Sequence, residues 1–110
     1  MNTITFRNDF CSLAQEFFPN SKITILEKRN IILEIRLEIS EFIFIEIYYN
    51  SLTDKKSYAF IKDNNRIAGY DNYKYWHIHP CGDPDKHIPC EEPSMKEVFS
   101  YMHNICEDLT

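Results

Sequence analysis

The stretch from Arg66 to Pro93, RIAGYDNYKYWHIHPCGDPDKHIPCEEP, carries the side chains best suited to chemistry in this chain of 110 residues. It holds three of the four histidines, two of the four cysteines, the only tryptophan and both glycines. His77 and His79 stand at i and i+2, so on an extended segment their imidazoles point to the same side. Asp71 and Asn72 lie just upstream, and Lys86 and His87 follow. Imidazole titrates near neutrality, so one histidine can take a proton while another gives one. RNA cleavage suits such a pair. The 2′-hydroxyl must lose a proton, the 5′-oxygen must gain one, and a cation such as Lys86 or Arg66 stabilises the charge on phosphorus. On this reading His79 and His87 are base and acid, in either order, with His77 beside them. Asp71 orients an imidazole and holds its tautomer.

Two other readings of the same residues stay open. His77, His79, Cys81, His87 and Cys90 are zinc ligands by type, in the pattern H-x-H-x-C-x5-H-x2-C, but this is no standard zinc spacing. The loop side chains can also simply fill space, and Trp76 reads as a packing anchor. Cys81 becomes a nucleophile only if its pKa is lowered. Cys11 and Cys106 fall on helices and read as small core residues. No CxxC pair is present, so a redox or zinc-ribbon motif is not indicated.

The composition is that of a globular domain, 44% apolar and 26% charged. A single domain over residues 1–110 follows from the length. The net charge of −5 does not draw nucleic acid from a distance, so any RNA contact needs a local basic patch. No stretch is apolar enough for a membrane span, and the N-terminus lacks the pattern of a signal peptide. A cytoplasmic protein with reduced cysteines is expected.

Hydrophobic periodicity indicates what holds the loop. Phe10, Leu13, Ala14 and Phe17 form one face of a helix over about 8–18, with Asn8 as N-cap and Pro19 as stop. From Lys22 the period becomes two. Ile31, Leu33, Ile35, Leu37 and Ile39 mark one strand, and Ile43, Ile45, Ile47 and Tyr49 the next. Lys22 to Arg29 adds a strand before them. Tyr58 to Ile61 is a short strand, Asp63-Asn64-Asn65 a hairpin turn, and Arg66 to Asn72 the strand leaving it. Ser94 and Glu97 form a capping box ahead of a helix over about 94–108, with Val98, Tyr101, Met102, Ile105 and Leu109 as its apolar stripe. The expected fold is α+β: an antiparallel meander of four to five strands, with an N-terminal and a C-terminal helix on one face. The opposite face carries Glu34, Arg36, Glu38, Phe44, Glu46 and Tyr48. It is read either as solvated or as a partner surface or cleft wall.

The order of short motifs resembles the TumE family of toxin–antitoxin proteins. The matching pieces are FIEIYY (44–49), YAF (58–60), RIAGYDN (66–72), HIHP (77–80), KH (86–87) and EEPSMKEVF (91–99). The resemblance covers most of the chain from about residue 30, and Tyr-Asp-Asn followed by closely spaced histidines is its most specific part. It implies the toxin of a type II module, directed at RNA or translation, with a small antitoxin as partner, often a helix-turn-helix protein. It marks Tyr70, Asp71, Asn72, His77, His79, Lys86, His87 and Pro93, and leaves out the cysteines. The leading expectation is therefore a metal-independent endoribonuclease toxin acting at His77, His79, His87 and Asp71. Lys86, Arg66, Tyr70 and Asn72 would bind phosphate or RNA, and no cofactor would be needed. A metal-dependent nuclease, with zinc as cofactor, and a non-catalytic protein-binding module are the alternatives. Self-association into a homodimer also stays open.

Overall fold

Alternation of apolar and polar residues over most of the chain produces one continuous sheet. The computed structural model describes residues 2–109, apart from the side chain of Leu109, so that member of the expected stripe lies outside the described residues. Helix α1 (Thr3–Phe17) leads into strands β1 (Lys22–Lys28), β2 (Ile32–Glu38), β3 (Ile43–Asn50), β4 (Lys55–Lys62), β5 (Asn65–Asp71), β6 (His77–His79) and β7 (Ile88–Pro89). Helix α2 (Met95–Leu109) closes the chain. The seven strands pair in sequence order and every pairing is antiparallel, so the fold is an α+β meander with more strands than the expected four to five. The additional strands come from the histidine segment. Three residues and two residues are too short to show a period, and only their pairing partners define them.

The turns follow from residue type. Asp63 and Asn64, between β4 and β5, both have positive φ (51° and 65°), as a tight hairpin requires and as Asp and Asn tolerate. Arg29 and Asn30 do the same between β1 and β2, at φ 56° and 58°.

Helix α1 starts earlier than its apolar face suggested. Asn2, not Asn8, is the N-cap, its Oδ1 accepting from the Thr5 amide at 2.9 Å. The buried face then runs Thr3, Phe6, Phe10, Ala14, one residue per turn. Cys11 is exposed rather than core, because it follows Phe10 by one residue and so lies about 100° around the helix. Ser94 caps α2 as expected, accepting from the Glu97 amide at 3.1 Å.

Both helices cover one face of the sheet. Leu33, Leu37, Ile45, Phe60, Phe10 and Met102 meet there, all fully buried. Phe6 stacks on Tyr49 with ring centroids 4.4 Å apart, and Phe99 packs against Phe10 at 5.4 Å. The other sheet face is left without a helix. Among the described residues, no helix is long and apolar enough to cross a membrane.

Candidate functional site

Sheet register decides which loop residues meet. Asp71 pairs with His77 and Gly69 with His79 across β5 and β6. Side chains alternate along a strand, so Asp71, His77 and His79 all project from the face without helices. Tyr70 and Ile78, the pair between them, project toward the helices. After Pro80 the chain turns back as β7, where Ile88 pairs with Ile78. One step further along that register brings His87 opposite His79. The ring centroids of His87 lie 4.9 Å from His77 and 4.6 Å from His79, both edge to face.

Backbone hydrogen bonds hold this loop. The Cys90 amide donates to Trp76 O at 3.1 Å, and the Cys81 amide donates to the Tyr101 hydroxyl at 3.0 Å. Trp76 is half-buried against the core, in keeping with its reading as an anchor.

His77 and His79 are 5% and 2% exposed, while His87 is exposed. His77 Nδ1 lies 2.9 Å from Tyr75 O, and His79 Nδ1 lies 2.8 Å from Pro84 O. The two Nε2 atoms face each other at 3.1 Å. His77 Nε2 is 3.0 Å from Asp71 Oδ1, and His79 Nε2 is 2.9 Å from Asp71 Oδ2. Burial alone would raise the Asp71 pKa. The Tyr73 amide, the hydrogen bond from His79 and the charges of His77 and His79 outweigh it, so the carboxyl is held below its ordinary value. His77, His79 and His87 each offer a nitrogen within 4.8 Å of the others, so the three could hold a metal ion.

The cluster forms one end of the uncovered sheet face. Row by row, Arg36 pairs with Glu46, Glu46 with Ala59, Ala59 with Gly69 and Gly69 with His79. Beside them run Glu34, Tyr48, Ser57, Asp71 and His77. The small residues Ser57, Ala59 and Gly69 leave the middle of the face low. A groove of about 430 Å³ lies over β1–β4, lined by Thr24, Leu26, Arg36, Glu46, Tyr48 and Ala59 among others. A second hollow shares Glu46 and Ala59 with it and reaches Arg66 and Pro84, whose carbonyl faces His79 Nδ1. Of the two readings of this face, a cleft wall describes it better than a flat solvated surface.

Four of the expected residues are thus brought together: Asp71, His77, His79 and His87. Arg66 sits at the rim, its Nη2 donating to Pro84 O at 3.4 Å. Lys86 is exposed next to His87. Tyr70 lies on the opposite face of the sheet from the histidines: it packs edge to face on Tyr101 at 5.7 Å, and burial raises its pKa. Asn72 serves the backbone. Its Oδ1 accepts from the Lys56 amide at 2.9 Å and its Nδ2 donates to Asp54 O at 2.7 Å, fastening the ends of β4 and β5. Neither Cys81 nor Cys90 belongs to the histidine group. Burial pushes the Cys90 thiol up, and that of Cys106 up to about 11, which disfavours a thiolate at either position.

Sequence reasoning gave the face of the groove as one of two readings and did not connect it to the histidines. The signal was present in the small residues Ser57, Ala59 and Gly69, placed in phase with Asp71 and His77. No family model, no curated protein and no solved structure matches this chain.

Proposed function

We propose that this chain is the toxin of a type II toxin–antitoxin module, cutting RNA at the Asp71–His77–His79–His87 cluster, with a small helix-turn-helix antitoxin as its protein partner. The order of motifs shared with the TumE family supports the toxin assignment. One observation carries the chemical assignment: a carboxylate and three imidazoles converge on the same open sheet face that holds the groove.

The geometry changes the roles expected of the histidines. His79 cannot serve as a freely exchanging acid or base, because it is buried and both its nitrogens face protein atoms. His87 is the imidazole that a bound strand can touch. Arg66 and Lys86 at the rim place positive charge where phosphate would lie, although Asp85 shares the hollow with Arg66 and the chain's net charge is −5. The groove itself carries Glu34 and Glu46, which repel phosphate. It suits unstacked bases instead, with the Tyr48 ring as a stacking surface.

Expression in a bacterial host tests the reading. Growth arrest with RNA breakage is expected, both abolished by His87→Ala and relieved by the neighbouring antitoxin gene. Arrest that persists in a folded His87→Ala variant without RNA breakage would instead favour the non-catalytic binding module.

A further inference from the structure

The contacts at the centre of the cluster do not close as hydrogen bonds. Tyr75 O and Pro84 O are carbonyls and can only accept, so each Nδ1 that faces them carries hydrogen. The remaining ring nitrogens, both Nε2, make a triangle of short contacts with each other (3.1 Å) and with the two oxygens of Asp71 (3.0 and 2.9 Å). If both Nε2 atoms are protonated, each donates to its own carboxylate oxygen, but two N–H groups then face each other. If one is protonated, the other sets a lone pair against a carboxylate oxygen. If neither is, all three contacts are lone pair to lone pair. With Asp71 as a carboxylate, no placement of protons on the two imidazoles satisfies all three contacts, in a place where His77 and His79 have almost no access to water.

A cation satisfies it at once, because it takes lone pairs from both Nε2 atoms and from the carboxylate. We infer that Asp71, His77 and His79 form a divalent transition-metal site of the zinc type, closed by His87 from the returning loop. Three further observations fit. Both imidazoles donate their other N–H to a backbone carbonyl, which is how metal-bound histidines are usually fixed in tautomer and orientation. Ligand atoms bound at 2.0–2.1 Å stand roughly 2.9 Å apart at a right angle and about 3.3 Å apart at a tetrahedral one, so the spacing of Asp71, His77 and His79 needs little change, while His87, within 4.8 Å of the other two histidines, moves in to close the site. Two imidazoles with one carboxylate suit zinc, iron or nickel and do not suit magnesium or calcium.

The inference rests on the reading of this cluster as the reactive site, and names its cofactor. His87 lies on the exposed side, so the ion takes a bound water there as a fifth ligand. Such a water ionises near pH of about 7. As hydroxide it takes the proton of a 2′-hydroxyl whose oxygen attacks phosphorus. The resulting water returns that proton to the departing 5′-oxygen, leaving a cyclic phosphate and a 5′-hydroxyl.

The test uses the full chain, freed of metal by chelator. Titration with Co²⁺ is followed by visible absorption, and titration with Zn²⁺ by calorimetry and thermal melting. One ion per chain is expected, with a raised melting temperature. His77→Ala and His79→Ala abolish uptake, Asp71→Asn and His87→Ala weaken it at least about tenfold, and Cys81→Ser and Cys90→Ser leave it unchanged. His87 is exposed, so its variant decides the matter where a buried histidine variant fails to fold. The site is overturned if the wild-type chain takes up no stoichiometric ion, if His87→Ala binds as tightly as wild type, or if a cysteine variant loses the ion. Stoichiometric uptake without RNA breakage keeps the site and removes the ribonuclease reading. RNA breakage by a chain that binds no metal does the reverse.

Discussion

The two faces of the sheet are built on opposite terms. The helix-covered face is mainly aliphatic and aromatic, with Leu33, Leu37 and Phe60 from the sheet against Phe6, Phe10 and Met102 from the helices, and few buried polar groups such as Thr3 and Lys56. The open face gathers two buried imidazoles and a partly buried carboxylate at its β5–β6 end, in contacts that protons on the imidazoles alone do not satisfy. One face concentrates apolar burial, the other concentrates titratable and metal-ligating groups. The same strands serve both, because alternate residues of one strand belong to opposite faces.

If that division holds, changes on the two faces separate in their effects. The largest expected effect is on the covered side. Phe60→Ala should destabilise the fold by about 3–5 kcal/mol, read by denaturant unfolding. A loss under about 1 kcal/mol would mean that the helices do not seal this face. Gly69→Ala acts between the faces, since a Cβ there would collide with the Tyr58 carbonyl. It should cost about 1–3 kcal/mol, and a neutral result would show that β4 and β5 can part without penalty. Asn72→Ala should cost about 1–2 kcal/mol through its lost backbone bonds, while metal uptake by the folded fraction stays at wild-type level. Loss of uptake would move Asn72 into the site. Tyr70→Phe should be smallest, within about 0.5 kcal/mol, with RNA breakage and metal uptake unchanged. A strong loss of breakage would contradict its place on the helix side.

Much of the fold was legible because its strands alternate for seven or eight residues, as in β2 and β3, and because Asp63-Asn64 announces its turn. The ends of elements were less so. Asn2 caps α1 from beyond the clear apolar face, and a short polar residue nearly two turns further in, Asn8, offered the same signal. Strands β6 and β7 could not be read from periodicity, yet the pairing of His77 with His79 on one side followed correctly from their spacing alone. What spacing could not supply was the return of His87, which depends on the register of a hairpin. Tyr70 stands apart from the histidines because of phase. It precedes Asp71 by one residue in the same strand, so the two side chains cannot share a face. Asn72 is a different case: an amide can complete a backbone ladder as well as bind a ligand, and residue type does not distinguish the uses.

The metal site is tested most directly by the identity of the atoms around a bound ion. X-ray absorption of the Zn²⁺-loaded chain reads them. A single shell of nitrogen and oxygen at about 2.0–2.1 Å is expected, with the outer-shell scattering of at least two imidazoles. A sulfur shell at about 2.3 Å, or a spectrum without imidazole scattering, would contradict it.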